Sequence, residues 1–379
     1  MPSKINSRNI TVSVQRILWA KAAGRCEFSG CNKPLWKSSV TQEQVNIAQQ
    51  AHIYSFSDDG PRGNEGTPSE QLNDLYNIML VCHECHQKID NEKDGGRYTA
   101  ELLRAMKTDH ESRIELVTSI DPDKKSHVLL YGANIGSHSS PLSFNTTAKA
   151  LFPERYPAED KAIELGMADS VLKDQDDIFW QIEENNLIKK FNQRVRERLA
   201  DGSIKHISIF ALAPQPLLIK LGSLMTDIPA TEVFQLHREP QGWGWLEHKT
   251  DVKYFVQEPK EIAKQPALVL SLSATITEDR IKSVLGDEVS IWEMSIESPN
   301  NDFMKSRKQL QDFRILARKL MDKIKAVHGQ DTILHVFPAV PVSISVELGR
   351  IRMPKADLLW KLYDQVNERG DFIHAIDIV

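Results

Sequence analysis

Four cysteines are the residues best placed to do metal chemistry in this chain of 379 residues. They come as two close pairs, Cys26/Cys31 (C-x4-C) and Cys82/Cys85 (C-x2-C), with none beyond position 85. A secreted disulfide domain would be small and dense in cysteine. Two tight pairs in a large chain instead fit a tetrahedral structural zinc, since each pair offers two thiolates at about 2.3 Å from one ion and closing the loop joins two distant pieces of chain. Three further residues lie beside these pairs: His52, Asn77 and, directly after Cys85, His86.

The order His, Asn, Cys-x-x-Cys-His resembles the HNH nuclease motif over roughly residues 20 to 95, carried by Asn77-Ile78-Met79-Leu80-Val81-Cys82-His83-Glu84-Cys85-His86. A phosphodiester repels hydroxide, so its hydrolysis calls for a base and a divalent cation. The resemblance implies that His52 is the general base, its ordinary pKa near 6.5 suiting the task. His86 would ligate a catalytic magnesium or manganese ion, and Asn77 would orient His52 or join the site. Zinc would take no part in the reaction; it would fix the hairpin and helix that carry these groups. One position departs from the pattern: Ala51 stands where many such enzymes place an acidic or histidine metal ligand. Asp74, Asp90 and Gln50 are all open as replacements.

The elements around these residues are readable. Val12 to Ala23 reads as a helix capped by Thr11 or Ser13 and stopped by Gly24, and Thr99 to Ser119 as another. A loop rich in Gly, Pro, Ser and Asp runs from Ser55 to Ser69, and the short apolar run Leu75 to Val81 leads into the second cysteine pair. Asp121-Pro122-Asp123-Lys124-Lys125 reads as a linker.

Beyond it, Ile207–Gly222 can be set over Leu334–Gly349 at an offset of 127, pairing Phe210 with Phe337, Pro214 with Pro341, Leu221 with Leu348 and Gly222 with Gly349. Each copy follows a charged helical stretch and reads strand, proline loop, helix, the unit that builds parallel sheets. Ligands of open α/β sheets sit beyond the carboxyl ends of strands, at helix N-termini. That singles out Pro214 and Gln215 in one copy and Pro341 and Ser343 in the other. Trp243 and Trp245, flanked by glycine, are candidates for stacking on a base, and Ser271, Ser273 and Thr275, after the strand Ala267 to Leu272, for bonding phosphate or base edges.

The whole is similar to the HNH-SAVED effector nucleases of bacterial CBASS antiphage defence. Besides the nuclease motif, this rests on Tyr131-Gly132-Ala133-Asn134-Ile135-Gly136 and Phe337-Pro338-Ala339-Val340-Pro341, ending at Glu347-Leu348-Gly349-Arg350. The resemblance implies an α+β, zinc-stabilised ββα-metal nuclease domain over residues 1–125, a linker and the start of the sensor over 126–150, and an α/β SAVED domain of two fused CARF-like, Rossmann-type lobes over 151–379. It implies a cyclic di- or trinucleotide activator, double-stranded DNA as substrate and homo-oligomerisation on activation.

Charge agrees with that division of labour. Residues 1 to 37 hold seven Lys/Arg against Glu27 alone, whereas residues 126–379 hold 31 basic against 35 acidic side chains, a poor balance for clamping DNA. This counts against a C-terminal DNA-specificity domain of the restriction type. A zinc module that binds nucleic acid without cutting it is the other alternative. No apolar run approaches a membrane span and no signal-peptide core follows Met1, so a cytoplasmic protein is expected.

Overall fold

In the computed structural model the residues described are 9–55, 60–63, 71–91, 97–135, 142–167, 170, 172–176, 178–246, 252–365 and 371–379. Lys4 and Arg8 of the basic segment, most of the Ser55–Ser69 loop and Gly136 lie outside them. The chain divides into two compact units, Met1–Asp121 and Pro122–Val379.

In the first unit, α1 (Val12–Lys21) is capped by the Thr11 hydroxyl, which accepts from Val14 N. The chain turns at Gly24 (φ 63), where a Cβ would lie 3.1 Å from the Trp36 ring. Strand β1 (Ala48–His52) pairs antiparallel with β2 (Ile78–Cys82), opposing His52 to Ile78. Helix α2 (His83–Ile89) starts at the next residue, because Cys82 serves as its N-cap. α3 (Ala100–Thr118) has Thr99 as N-cap. β2 is buried along its whole length and forms the core with Leu18, Leu35, Ile53, Ile89 and Leu103.

The second unit holds two sheets. The first is built from β3 (Lys125–Gly132), β4 (Tyr156–Pro157), β5 (Ile163–Glu164), β6 (Ile207–Leu212) and β7 (Thr231–Val233); all pairings are parallel, in the order β4-β3-β6-β7 with β5 also on β3. Its helices are α4 (Phe144–Ala148), α5 (Phe179–Phe191), which runs through a π turn at Asn192–Arg196 into α6 (Glu197–Ala200), and α7 (Gln215–Met225). β3 begins at the last residue of the stretch that composition marks as a linker: Ser126–Tyr131 is buried beside β6, so the second unit's first sheet starts at residue 125.

The second sheet runs β13-β12-β11-β9-β10-β8, from β8 (Tyr254–Gln257), β9 (Gln265–Ser271), β10 (Val289–Ile296), β11 (Ile333–Ala339), β12 (Leu359–Gln365) and β13 (Phe372–Ile378). The four central strands are parallel and the two edges antiparallel. α8 (Glu278–Leu285), α9 (Arg307–His328) and α10 (Val342–Arg350) cover it. α9 buries Leu310, Phe313, Ala317, Leu320, Met321 and Ile324, the one-faced spacing of an amphipathic helix.

The two sequence copies are β6–α7 and β11–α10, and the copies touch at matched residues. A Cβ on Gly222 would stand 2.0 Å from Val346 O and 2.9 Å from Arg350 N; one on Gly349 would stand 1.9 Å from Ile219 O and 2.7 Å from Ser223 N. Ile219 and Val346, like Ser223 and Arg350, are equivalent under the offset of 127. α7 and α10 therefore cross about a local two-fold axis, at a distance only glycine permits.

Candidate functional site

Cys26 follows the turn at Gly24, Cys31 ends a tight turn closed by its N–H to Phe28 O, and Cys82 and Cys85 straddle the start of α2. The four sulfurs lie within 4.8 Å of one another, and Cys31 and Cys82 are 3.9 Å apart. A tetrahedron with bonds of about 2.3 Å has edges of about 3.8 Å. Burial pushes the Cys26 thiol up to about 12 and Cys85 higher still, so these sulfurs would ionise together only with a cation among them. The four cysteines could hold a metal such as zinc. They are the only such cluster of three or more His, Cys, Asp or Glu among the described residues.

His52 closes β1, and its Nε2 lies 3.0 Å from Asn73 Oδ1. An amide oxygen only accepts, so in this contact Nε2 is the donor. Asn77 does not touch this ring. It is fully buried, donates from Nδ2 to Tyr54 O (3.1 Å) and Leu72 O (2.9 Å), and accepts from Tyr54 N (2.8 Å). It thereby pins the chain leaving β1. Asn73, four positions earlier, is a partner of the imidazole.

His86 on α2 and Asp90, the C-cap of that helix, are one turn apart, with Nδ1 3.7 Å from Asp90 Oδ2. Ala51 is buried, with no donor to offer, and Asp90, one of the three open replacements, stands beside His86. The side chain of Arg62 is 5% exposed and reaches both elements: Nη2 donates to His52 O (3.3 Å) and Asp90 Oδ1 (3.0 Å), Nε to Ile53 O (2.6 Å) and Nη1 to Ile89 O (2.6 Å). His86 is then the one protein donor named for a divalent ion, which fits an ion that keeps most of its water.

In the second unit the structure gathers part of the expected set. Pro214 and Pro341 are the N-caps of α7 and α10. Gln215 Oε1 accepts from Val340 N (3.2 Å), and the oxygen of Gln235, just past β7, accepts from both the N–H (3.2 Å) and the hydroxyl (2.8 Å) of the fully buried Ser343. Two glutamine amides thus tie the first lobe to the head of α10.

Three candidates stand elsewhere. Trp243 is 6% exposed and packs edge-on against Phe210 at 5.3 Å, a core position rather than the exposed turn its glycines imply. Ser271 is 1% exposed and accepts from Ile276 N (3.2 Å), closing a turn. Trp245 sits 6.0 Å from His237 and helps line a cavity of about 530 Å³ between α9, β7 and the end of α10, with Thr231, Arg307, Arg314, Arg318 and Ile351. That volume is within the range of small-molecule sites.

Two fused open-sheet lobes, matched at α7 and α10 and clasped where their strands end, make up the α/β architecture of the second unit. Residues 187–378 match the family described as "SMODS-associated and fused to various effectors sensor domain", and the chain belongs to this SAVED family. No curated protein matches significantly. Among solved structures, the Acinetobacter baumannii Cap4 SAVED/CARF-domain containing receptor with the cyclic trinucleotide 2'3'3'-cAAA is 15% identical over 82% of this chain and 60% of its own, at a TM-score of 0.41. The Moraxella osloensis Cap4 SAVED/CARF-domain containing receptor is 13% identical over 83% of this chain and 71% of its own, at 0.42. The chain thus spans less than two thirds of the Acinetobacter receptor's length.

Proposed function

We propose that this protein is a cyclic-oligonucleotide-activated, metal-dependent HNH endonuclease that degrades double-stranded DNA in CBASS antiphage defence. The observation that carries the reading is the hairpin and helix of the N-terminal unit, with one histidine at the end of β1, another on α2 and four clustered cysteine sulfurs, two of them at the start of that helix, in a chain whose other half is a SAVED sensor. With that half a sensor, a DNA-specificity domain is not needed to explain it.

His52, held by Asn73 through Nε2, takes a proton from water. Asn77 keeps the strand exit in place. His86, with Asp90 beside it, would hold magnesium or manganese, which supplies charge neutralisation on the scissile phosphate and the leaving oxygen. Zinc on the four cysteines is structural. The ligand is a cyclic di- or trinucleotide taken up where β6 and β11 end, and its binding favours an oligomer in which the nuclease is active. A DNase in its own cytoplasm is tolerable only if its resting state is inactive, which requires a ligand with several kcal/mol of preference for the active assembly.

The test mixes the full chain with plasmid DNA, Mg²⁺ or Mn²⁺ and a panel of cyclic di- and trinucleotides. Cleavage is expected with one activator and not without it, and is expected to vanish in His52→Ala while zinc content and ligand binding persist. Cleavage that ignores every cyclic nucleotide, or that survives His52→Ala, overturns the reading.

A further inference from the structure

We propose that Asp90, held by Arg62, fixes the His86 imidazole with its proton on Nδ1, so that Nε2 is the atom offered to a metal ion. Arg62 and Asp90 are then positioning residues of the N-terminal site. The inference rests on the nuclease reading and extends it to two residues that no motif marks.

Arg62 is an unusual residue to find where it is. Its φ is 68, in the left-handed region that non-glycine residues seldom occupy, yet its side chain is only 5% exposed and its fork makes four hydrogen bonds. Strain of this kind persists where surrounding contacts over-determine it, and it gathers at functional sites. The contacts explain the placement. Nε and Nη1 take the carbonyls of Ile53 and Ile89, the residue after β1 and the last of α2; Nη2 spans His52 O and Asp90 Oδ1. One rigid, planar group therefore sets the end of the strand that carries His52 against the end of the helix that carries His86.

The same contact orients Asp90. With Oδ1 claimed by the guanidinium, Oδ2 is the oxygen turned toward His86 Nδ1, 3.7 Å away and within ion-pair reach. A carboxylate only accepts, so the nitrogen that closes on it must be the protonated one, leaving the lone pair on Nε2. Metal-ligating histidines characteristically give their second N–H to a carboxylate in this way, which fixes the ring and raises its basicity.

The test uses the full, zinc-loaded chain with ¹⁵N-labelled histidine, free of other metals, with His86→Ala to assign the signal. Long-range ¹H–¹⁵N correlations are expected to show His86 as the Nδ1–H tautomer. In Asp90→Asn the amide oxygen turns to Arg62 and the NH₂ faces the ring, so the tautomer is expected to switch to Nε2–H. Mn²⁺ affinity, read from the EPR signal of free Mn²⁺, should fall about 10–100-fold, and Arg62→Gln should move both readouts in the same direction. Zinc content shows whether each variant remains folded; should one not fold, the wild-type tautomer decides. A wild-type His86 protonated on Nε2, or an Asp90→Asn variant that binds Mn²⁺ within twofold of wild type, overturns the proposal. A wild type with the Nδ1–H tautomer and the expected losses in the variants, but no DNA cleavage under any activator, would sustain the positioning and sink the nuclease reading alone.

Discussion

Replacing Gly349 by alanine should destabilise the second unit far more than one methyl group ordinarily does. The added Cβ would stand 1.9 Å from Ile219 O and 2.7 Å from Ser223 N, both backbone atoms that no rotamer change can move. An ordinary carbon–oxygen contact is about 3.3 Å, so α7 and α10 must part by about 1.4 Å. A gap of even 0.5–1 Å forfeits about a quarter to a half of the dispersion attraction across it, and the fully buried Ile219 and Val346 lie at this crossing. Overpacking costs about 1–3 kcal/mol and occasionally more; the near-absolute fit here places it at the upper end or beyond. Alanine's better helix propensity returns about 1 kcal/mol. The net loss is then about 2–3 kcal/mol, or about 5–10 °C in Tm for a domain of this size. Thermal and urea unfolding followed by tryptophan fluorescence, to which Trp292 and Trp360 contribute from 1% exposure, would measure it. Gly244→Ala, with nothing within 4 Å of its Cβ, is the control and should shift stability by no more than about 0.5 kcal/mol. The double variant Gly222→Ala/Gly349→Ala should cost less than the sum, because one separation accommodates both methyls. A Gly349→Ala protein that melts within about 1 °C of wild type would refute the reasoning.

Other expectations follow from the same coordinates. Stripping metal with a strong chelator, or Cys85→Ser, should release about one zinc per chain by elemental analysis and unfold the first unit, since structural zinc contributes about 10–16 kcal/mol in small sites; retained near-UV dichroism of that unit after zinc loss would count against it. Burial lowers His206 and His335 from 6.5 to about 4. The unfolded chain therefore takes up protons near pH 6.5 that the folded chain refuses until about pH 4, so stability is full above 6.5 and falls through this window. The displacement corresponds to about 3 kcal/mol per histidine at most, reduced to about 1–2 by solvent screening, and His206→Gln should flatten the fall in urea midpoint between pH 7 and 4.5. Gln235→Leu leaves the N–H and hydroxyl of Ser343 buried without their acceptor and should lower stability by about 1–3 kcal/mol in the same urea assay.

What was legible in the sequence is local chemistry and period. The cysteine spacings mark the four-sulfur cluster because metal geometry restricts spacing. α1 shows through its cap and apolar spacing, α3 through its apolar spacing and α9 as a charged helical stretch, and the matched Phe, Pro, Leu and Gly positions mark the two strand–loop–helix copies. The missed residues depend on contacts across long stretches of chain. Arg62 lies in a loop whose composition reads as a mere turn, and only folding brings its side chain under Ile89 and Asp90. Gln235 follows a strand of three residues, too short to show a period, and meets Ser343 more than a hundred positions later. Trp243 was misplaced because flanking glycines signal a turn without saying which side of it faces Phe210. The start of β3 is hard to read because the four charged or turn-forming residues just before it, Asp121–Lys124, read as linker and mask the onset of a buried parallel strand.

The crossing of α7 and α10 has a bearing on origin. Equivalent residues that touch one another reciprocally are the signature of an isologous interface, the kind formed when two copies of one subunit pair face to face. Here both halves of such a pair are strung on a single polypeptide, as duplication and fusion of a self-pairing ancestor would leave them. Tethering frees each side to diverge everywhere except at the axis, where each glycine must still make room for the other half.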